Sequence, residues 1–210
     1  IHYYDIETGK FTHYYEHNVK GLGGLKNYIA CDDGRGNLYV GHDGKGMSVI
    51  SLKDHTIKRY QHVSDDPDSL PGRLVVALCV DEQRNIWVGT NKGLSIFNPA
   101  TEKFTTFRHI PGDENSLLSN QVLDIKQMRD GRLWICTNMG GVSILDMQQN
   151  AFTSPTHIHF QNIPATNDVH GLSGPNARCA FQDSFGNIWL GNYRGGVDFI
   201  SYAQPIFNML

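Results

Sequence analysis

Charge is scarce in this chain: Asp, Glu, Lys and Arg make up 19% of its 210 residues, and the formal net charge is −3. No block of like charges occurs, so the sequence carries no basic stripe for nucleic acid or for an anionic membrane surface. No apolar run approaches the ~18 residues that a spanning segment needs. Cysteine is rare, at four residues, and no CxxC or Cys/His spacing is present to hold zinc. The Asp-Gly-Asn turns lack the carboxylate spacing and distal Glu of a calcium loop. The serines, Ser154 among them, lack a nucleophile elbow or a paired His pattern. Neither kinase nor response-regulator motifs occur, and no cofactor is implied. The chain opens in Ile1-His2-Tyr3-Tyr4 with neither a starting Met nor a signal peptide, and reads as a piece of a longer protein.

What is present is glycine, at 22 residues, aromatics at 10% and hydrophobic residues at 40%. That mixture suits many short strands joined by tight turns. Four segments align on one aromatic position: Gly36-Asn37-Leu38-Tyr39-Val40-Gly41, Arg84-Asn85-Ile86-Trp87-Val88-Gly89-Thr90, Gly131-Arg132-Leu133-Trp134-Ile135-Cys136-Thr137 and Gly186-Asn187-Ile188-Trp189-Leu190-Gly191-Asn192. The aromatics lie 48, 47 and 55 residues apart, a period that fits propeller blades and is too long for leucine-rich or ankyrin repeats. Each repeat has an apolar first strand, a polar turn of Gly, Asn and Asp that supplies positive φ, the aromatic strand, a Gly-rich turn, an alternating third strand and a more polar fourth strand suited to an outer edge. The fourth strands are expected at Thr56–Tyr60, Lys103–Phe107, Thr156–Phe160 and Pro205–Met209.

The fold class is therefore all-β: a β-propeller segment of four-stranded antiparallel blades spanning 1–210. A half blade is expected over 1–20, with blades over about 25–62, 73–109, 120–162 and 175–210. That makes about four and a half blades, a partial propeller, since closure takes four to eight. One such sheet cannot bury both faces alone; stacking blades builds the core. The tryptophans are expected to pack between blades. Cys31 and Cys79 hold equivalent positions in adjacent repeats, too far apart for a disulfide, and read as small buried hydrophobes.

At these residues the chain resembles the two-component regulator propeller repeat, whose pattern joins a Leu-Ser-Asn-like lead-in to Asp-x-x-Gly-Asn-(Ile/Leu)-Trp-(Ile/Val)-Gly-Thr. Here the lead-ins read Asp65-Asp66-Pro67-Asp68-Ser69-Leu70-Pro71-Gly72-Arg73 and Asp113-Glu114-Asn115-Ser116-Leu117-Leu118-Ser119-Asn120. Tyr39 replaces the first Trp, Cys136 replaces a Gly, and the stretch from Phe160 to Asn176 is a longer loop than its counterparts. The resemblance implies the periplasmic sensor region of a bacterial hybrid two-component histidine kinase, with oligosaccharide or another small ligand as partner and a homodimer as a possible assembly. No catalytic role is implied for this segment.

In a propeller the lead-in to strand one and the turn after strand two share one face. Candidate ligand-binding residues there are His42, Asp43, Arg73, Asn91, Lys92, Asn120, Asn138, Met139, Asn176, Asn192, Tyr193 and Arg194. Asn, Arg and His hydrogen-bond hydroxyls, and Tyr193 is able to stack on a sugar ring. The competing reading is that Asn and Gly there only satisfy turn geometry. His157 and His159 lie two apart on an expected outer strand and share a face, but no third ligand is in view for a metal. Two further functions stand beside sensing: a protein-docking or dimerisation platform, and a polysaccharide lyase or glycosidase, since propellers host both.

Overall fold

The computed structural model describes residues 2–14, 26–148, 158–165 and 172–201. Every regular element among them is a strand. A hairpin of β1 (His2–Asp5) and β2 (Lys10–His13) comes first. The first blade holds β3 (Asn27–Asp32), β4 (Asn37–His42), β5 (Gly46–Ser51) and β6 (Ile57–Tyr60); the second holds β7 (Val75–Val80), β8 (Ile86–Thr90), β9 (Gly93–Asn98) and β10 (Lys103–Phe107). The third holds β11 (Val122–Gln127), β12 (Leu133–Thr137), β13 (Gly141–Leu145) and β14 (Phe160–Pro164), and the fourth holds β15 (Ala177–Gln182), β16 (Ile188–Asn192) and β17 (Gly196–Ile200). Each blade is an antiparallel meander in chain order. The first strands β3, β7, β11 and β15 contact one another in sequence. They are the innermost strands of a propeller arc, and the sheets stack face to face around them.

The burial pattern explains the sequence grammar. Successive side chains on a strand point to opposite faces, and a blade has a neighbour on each. The aromatic of strand two faces the following blade: Tyr39, Trp87 and Trp134 are buried in three successive interfaces. The residues flanking each aromatic face the preceding blade, so β8 and β12 are buried along their whole length. The outer strands follow the same logic with two apolar residues three apart. Ile57 and Tyr60, Phe104 and Phe107, and Phe160 and Ile163 each send one side chain to either neighbour. Where blades meet closely there is room for no side chain at all: a Cβ on Gly89 would lie 2.6 Å from Val122 of the third blade and 2.8 Å from Ala77. Trp189 is the exception among the indoles. It is 38% exposed, tilted against the Phe199 ring, on the face that no further described blade covers.

A carboxylate at the end of strand one organises the first turn. Asp81 accepts from Asn85 N at 2.7 Å, Asn85 Nδ2 at 2.8 Å and Trp87 Nε1 at 2.9 Å. Asp183 repeats the set with Asn187 and Trp189, at 2.9, 3.0 and 3.0 Å. The Trp189 bond foremost, with those from Asn187, holds the Asp183 carboxyl below the usual carboxylate range despite some burial. Asp33 does the same for Asn37. This is the physical content of the Asp-x-x-Gly-Asn-x-Trp spacing. The third blade has Met128 in place of the acid, and Trp134 Nε1 is left buried without a partner.

Two expectations are corrected. The fourth strand of the third blade runs Phe160–Pro164, not Thr156–Phe160. Phe160 pairs with Leu145 as Phe104 pairs with Phe97, so it opens the strand, and the extra length precedes the strand instead of forming a loop from Phe160 to Asn176. His159 consequently stands before the strand, and His157 lies outside the described residues, as does the strand expected at Pro205–Met209. The four cysteines are free, but they are not all buried: Cys136 is enclosed, Cys31 and Cys79 are half-buried, and Cys179 is exposed. In all four blades strand one carries a β-bulge at its second residue, Tyr28, Val76, Leu123 or Arg178, which has no opposite number on strand two.

In the first and fourth blades a polar pair crosses strands two and three. In the first blade it is His42 and Ser48, both fully buried. His42 Nε2 meets Ser48 Oγ at 2.8 Å and Nδ1 meets Asn27 Oδ1 at 2.7 Å. Burial first, and the Arg59 charge second, push the His42 pKa down to about 4. The unfolded chain therefore binds a proton that the folded one refuses between pH ~6.5 and about 4. Stability is full above that window and falls as pH falls through it. In His42→Thr, which installs the residue found in the next two blades, thermal unfolding between pH 7 and 4.5 is expected to show a shallower loss of Tm; an unchanged slope would overturn the assignment. A second expectation concerns the indoles. Trp87→Phe and Trp134→Phe remove equal volume, but only the first breaks a bond to a buried acceptor. Urea unfolding is expected to find Trp87→Phe costlier by about 1–3 kcal/mol, and equal costs would show that the Asp81 bond contributes nothing.

Candidate functional site

Antiparallel topology sets which residues share an end. The start of strand one, the turn from strand two to three and the end of strand four lie together on what is here named the upper rim. Neighbouring blades hold the same ends side by side. Gly46 N in the first blade donates to Arg73 O in the lead-in of the second, at 2.9 Å, and Met139 N in the third donates to Asn176 Oδ1 in the lead-in of the fourth, at 2.8 Å. On the lower rim, Glu82 N and Arg129 N donate to Gln127 and Gln182 of the following blades.

The upper rim is anchored by buried leucines. Leu70, Leu117 and Leu172 of the lead-ins are enclosed between blades, each five residues before strand one begins. The residue after that leucine bonds the polar position of strand three. Leu118 N donates to Ser143 Oγ at 3.1 Å, and Ser173 N donates to Asp198 at 3.1 Å. Pro71 has no N–H to give, and Ser95 Oγ meets Thr106 Oγ1 instead. His62 and His109 close the lead-ins from the other side, with Nδ1 at 2.8 Å from Leu70 O and 2.7 Å from Leu117 O. The rim is thus a set of pinned loops on a rigid scaffold, the usual setting for recognition residues.

The sequence candidates divide by what this scaffold does with them. His42 is enclosed with both ring nitrogens engaged and presents nothing to solvent. Asn120 accepts from His109 N, Asn138 donates to Gln121 Oε1, Asn176 accepts from Met139 N, and Asn192 donates to Asp198 and Ser173. These asparagines spend their polar groups on tying loops. Asn91 and Asn192 each keep a buried, unpartnered Oδ1. Asp43, Arg73, Lys92, Met139, Tyr193 and Arg194 are exposed. Asp43 faces Lys26 at 3.9 Å. Tyr193 carries the densest chemistry: the Arg178 guanidinium lies 5.4 Å from its ring centroid and that of Arg194 5.2 Å, in cation–π range.

Arg178 is absent from the sequence candidates. It stands at the bulge of the innermost strand, where the second and third blades have Val76 and Leu123. A charge at that aligned position was the readable signal. A separate cleft of about 630 Å³ lies on the outer flank, lined by the lead-in of the third blade and β14. One of its amide donors, Asn162 Nδ2, is spent on Glu114 O and Ser116 O and ties the lead-in to the strand. Among the described residues no group of three or more His, Cys, Asp or Glu is placed to hold a metal. Burial pushes the Cys31 thiol up to about 12 and raises Cys79 and Cys136 as well, which leaves none of the three a thiolate nucleophile.

The signature of the two-component regulator propeller matches residues 69–92 and 171–194, each covering a lead-in, a strand pair and the turn beyond it. Among solved structures, the chain is 40% identical over 97% of its length to the extracellular domain of BT3049 from B. thetaiotaomicron, described as a hybrid two-component system, with a TM-score of 0.77 and 24% of that chain covered. The corresponding domain of BT4673 from the same organism is 24% identical, with a TM-score of 0.71, 89% of this chain covered and 25% of that one. PorZ of Porphyromonas gingivalis, a surface component of the type-IX secretion system, shares the fold at 16% identity and a TM-score of 0.65, with 92% and 28% covered. The chain thus spans about a quarter of the length of the structures it matches. No curated protein matches it. Repeat signature, blade geometry and the likeness to BT3049 agree: the chain carries two-component regulator propeller repeats, matched at residues 69–92 and 171–194.

Proposed function

We propose that the chain is part of an extracytoplasmic sensor region and that its upper rim binds an oligosaccharide. The observation that carries this is the 40% identity, across 97% of the chain, to the extracellular domain of a protein described as a hybrid two-component system. The rim supports it with an exposed tyrosine between two arginines, amide side chains close by and lead-in loops fixed by buried leucines and histidines. Hydroxyl-rich ligands are held by such mixtures of amide, guanidinium and aromatic groups. The role of the segment is to bind and transmit; the downstream output belongs to a kinase and regulator elsewhere in the longer protein, in the periplasm-facing arrangement that the family resemblance implies.

Calorimetric titration with an oligosaccharide panel, followed by chromatography of the mixtures, tests the reading. Binding without new products is expected, with Tyr193→Ala weakening it at least about tenfold. Appearance of shortened or unsaturated products would replace sensing by lyase or glycosidase activity. Heat on dilution of the protein alone, with no saccharide response, would favour a self-association platform.

A further inference from the structure

Cations stand at both rims of this chain, with Arg84, Arg129 and Arg132 in the lower turns, but those three are engaged and the upper-rim cations named next are not. Six cationic side chains are exposed on the upper rim: Lys45, Arg73, Lys92, Arg108, Arg178 and Arg194. Among the described residues none of them takes part in an ion pair. At the strand ends and turns of that rim the acids are Asp43, engaged with Lys26, and Asp198, engaged with Asn192 and Ser173; the lead-ins add Asp65, Asp66, Asp113 and Glu114. The remaining acids sit elsewhere. Asp33, Asp81, Asp130 and Asp183 tie the lower turns, and Asp68 lies on the outer flank against Lys103. The formal net charge is −3, so a basic composition does not account for the rim.

We infer that the upper rim is built for an anionic ligand, an acidic oligosaccharide bearing carboxylates or sulfate esters. The inference rests on the reading of that rim as the ligand face and names the class of ligand. Two groupings carry it. In the fourth blade, Arg178 and Arg194 flank one tyrosine ring. Arg194 is held at φ 62° in a turn where the first blade uses Gly44; a long cationic side chain occupies a position whose backbone favours glycine. Between the first and second blades, Lys45, His62 and Arg73 line a cleft of about 310 Å³ together with Gly44 and Gln61. Its walls are fixed, since Gly46 N holds Arg73 O and His62 is tied to Leu70 O. The arginine forks suit planar carboxylate and sulfate. Unpaired cations at two separated groupings call for a ligand with more than one negative group, and the rim amides and Tyr193 of the fourth-blade grouping suit sugar hydroxyls and a ring face.

The test is titration of the protein with size-matched oligogalacturonate, chondroitin sulfate and heparin fragments, with neutral cello- and malto-oligosaccharides, and with a single-stranded oligonucleotide of similar charge. Expected are binding of at least one acidic saccharide in preference to every neutral one and to the oligonucleotide, and a fall in affinity of about tenfold between about 50 and about 300 mM salt. Arg178→Gln with Arg194→Gln, and separately Lys45→Gln with Arg73→Gln, are expected to lose about tenfold or more while keeping the unfolding midpoint. Preference for a carboxylate-only over a sulfated fragment, or the reverse, identifies the anion within the inferred class. Neutral saccharides binding as tightly as acidic ones, or no loss in both double variants, would overturn the anionic reading and leave the rim as a sugar site. Silence from every saccharide would overturn both readings. Equal binding of the oligonucleotide would reduce the rim to an unspecific polyanion surface.

Discussion

Every blade of this molecule must be covered on both faces, and most of its sequence answers to that requirement. A sheet with one wet face alternates apolar and polar residues. Here strands two are apolar between their ends, outer strands bury residues three apart on opposite faces, and a glycine stands where neighbours approach too closely for a Cβ. The same requirement sets the size of the aromatic residues. Trp87 and Trp134 span the gap to the next blade, and Tyr39 fills it beside Phe97. The fourth blade shows the counter-case: with no described neighbour, Trp189, Phe181 and Phe199 are all open to solvent.

The Asp–Asn–Trp bonds serve this packing by fixing the Trp87 and Trp189 indoles in one orientation. The carboxylate closes the first turn and orients the ring in one set of contacts, joining local turn chemistry to a long-range interface. The third blade keeps the interface without the acid. Its turn is held by Gln127 on Gly131 O and by Arg132, whose Nε and Nη2 both donate to Asp130 Oδ2, while the indole N–H goes unbonded. Turn closure and indole orientation are therefore separable, with only the second relinquished there.

Repeat length, blade grammar and the aromatic position were legible because each is written several times in one chain, and aligned copies average out local ambiguity. The third outer strand was not, because an apolar Phe160 closes one plausible strand and opens another; only its pairing with Leu145 decides. His42 was read as a rim ligand on its place beside a turn, yet strand two is buried to its last residue, and a polar side chain there must find partners inside the blade. Arg178 escaped notice because a bulge shifts the facing of strand one by one residue, which period-two reasoning does not anticipate. The gathering of unpaired cations on the upper rim needs topology: residues tens of positions apart meet at one end only after the meander is folded.

The bulge in strand one has a consequence for how such arcs diversify. Its residue has no opposite number on strand two, so the strand–strand registry does not constrain what stands there, and three kinds of side chain occupy it: a phenol, two aliphatics and a guanidinium. Each blade thereby offers one interchangeable socket near the propeller axis. Lineages that keep every buried contact are free to retune what the centre of the arc recognises, one substitution per blade.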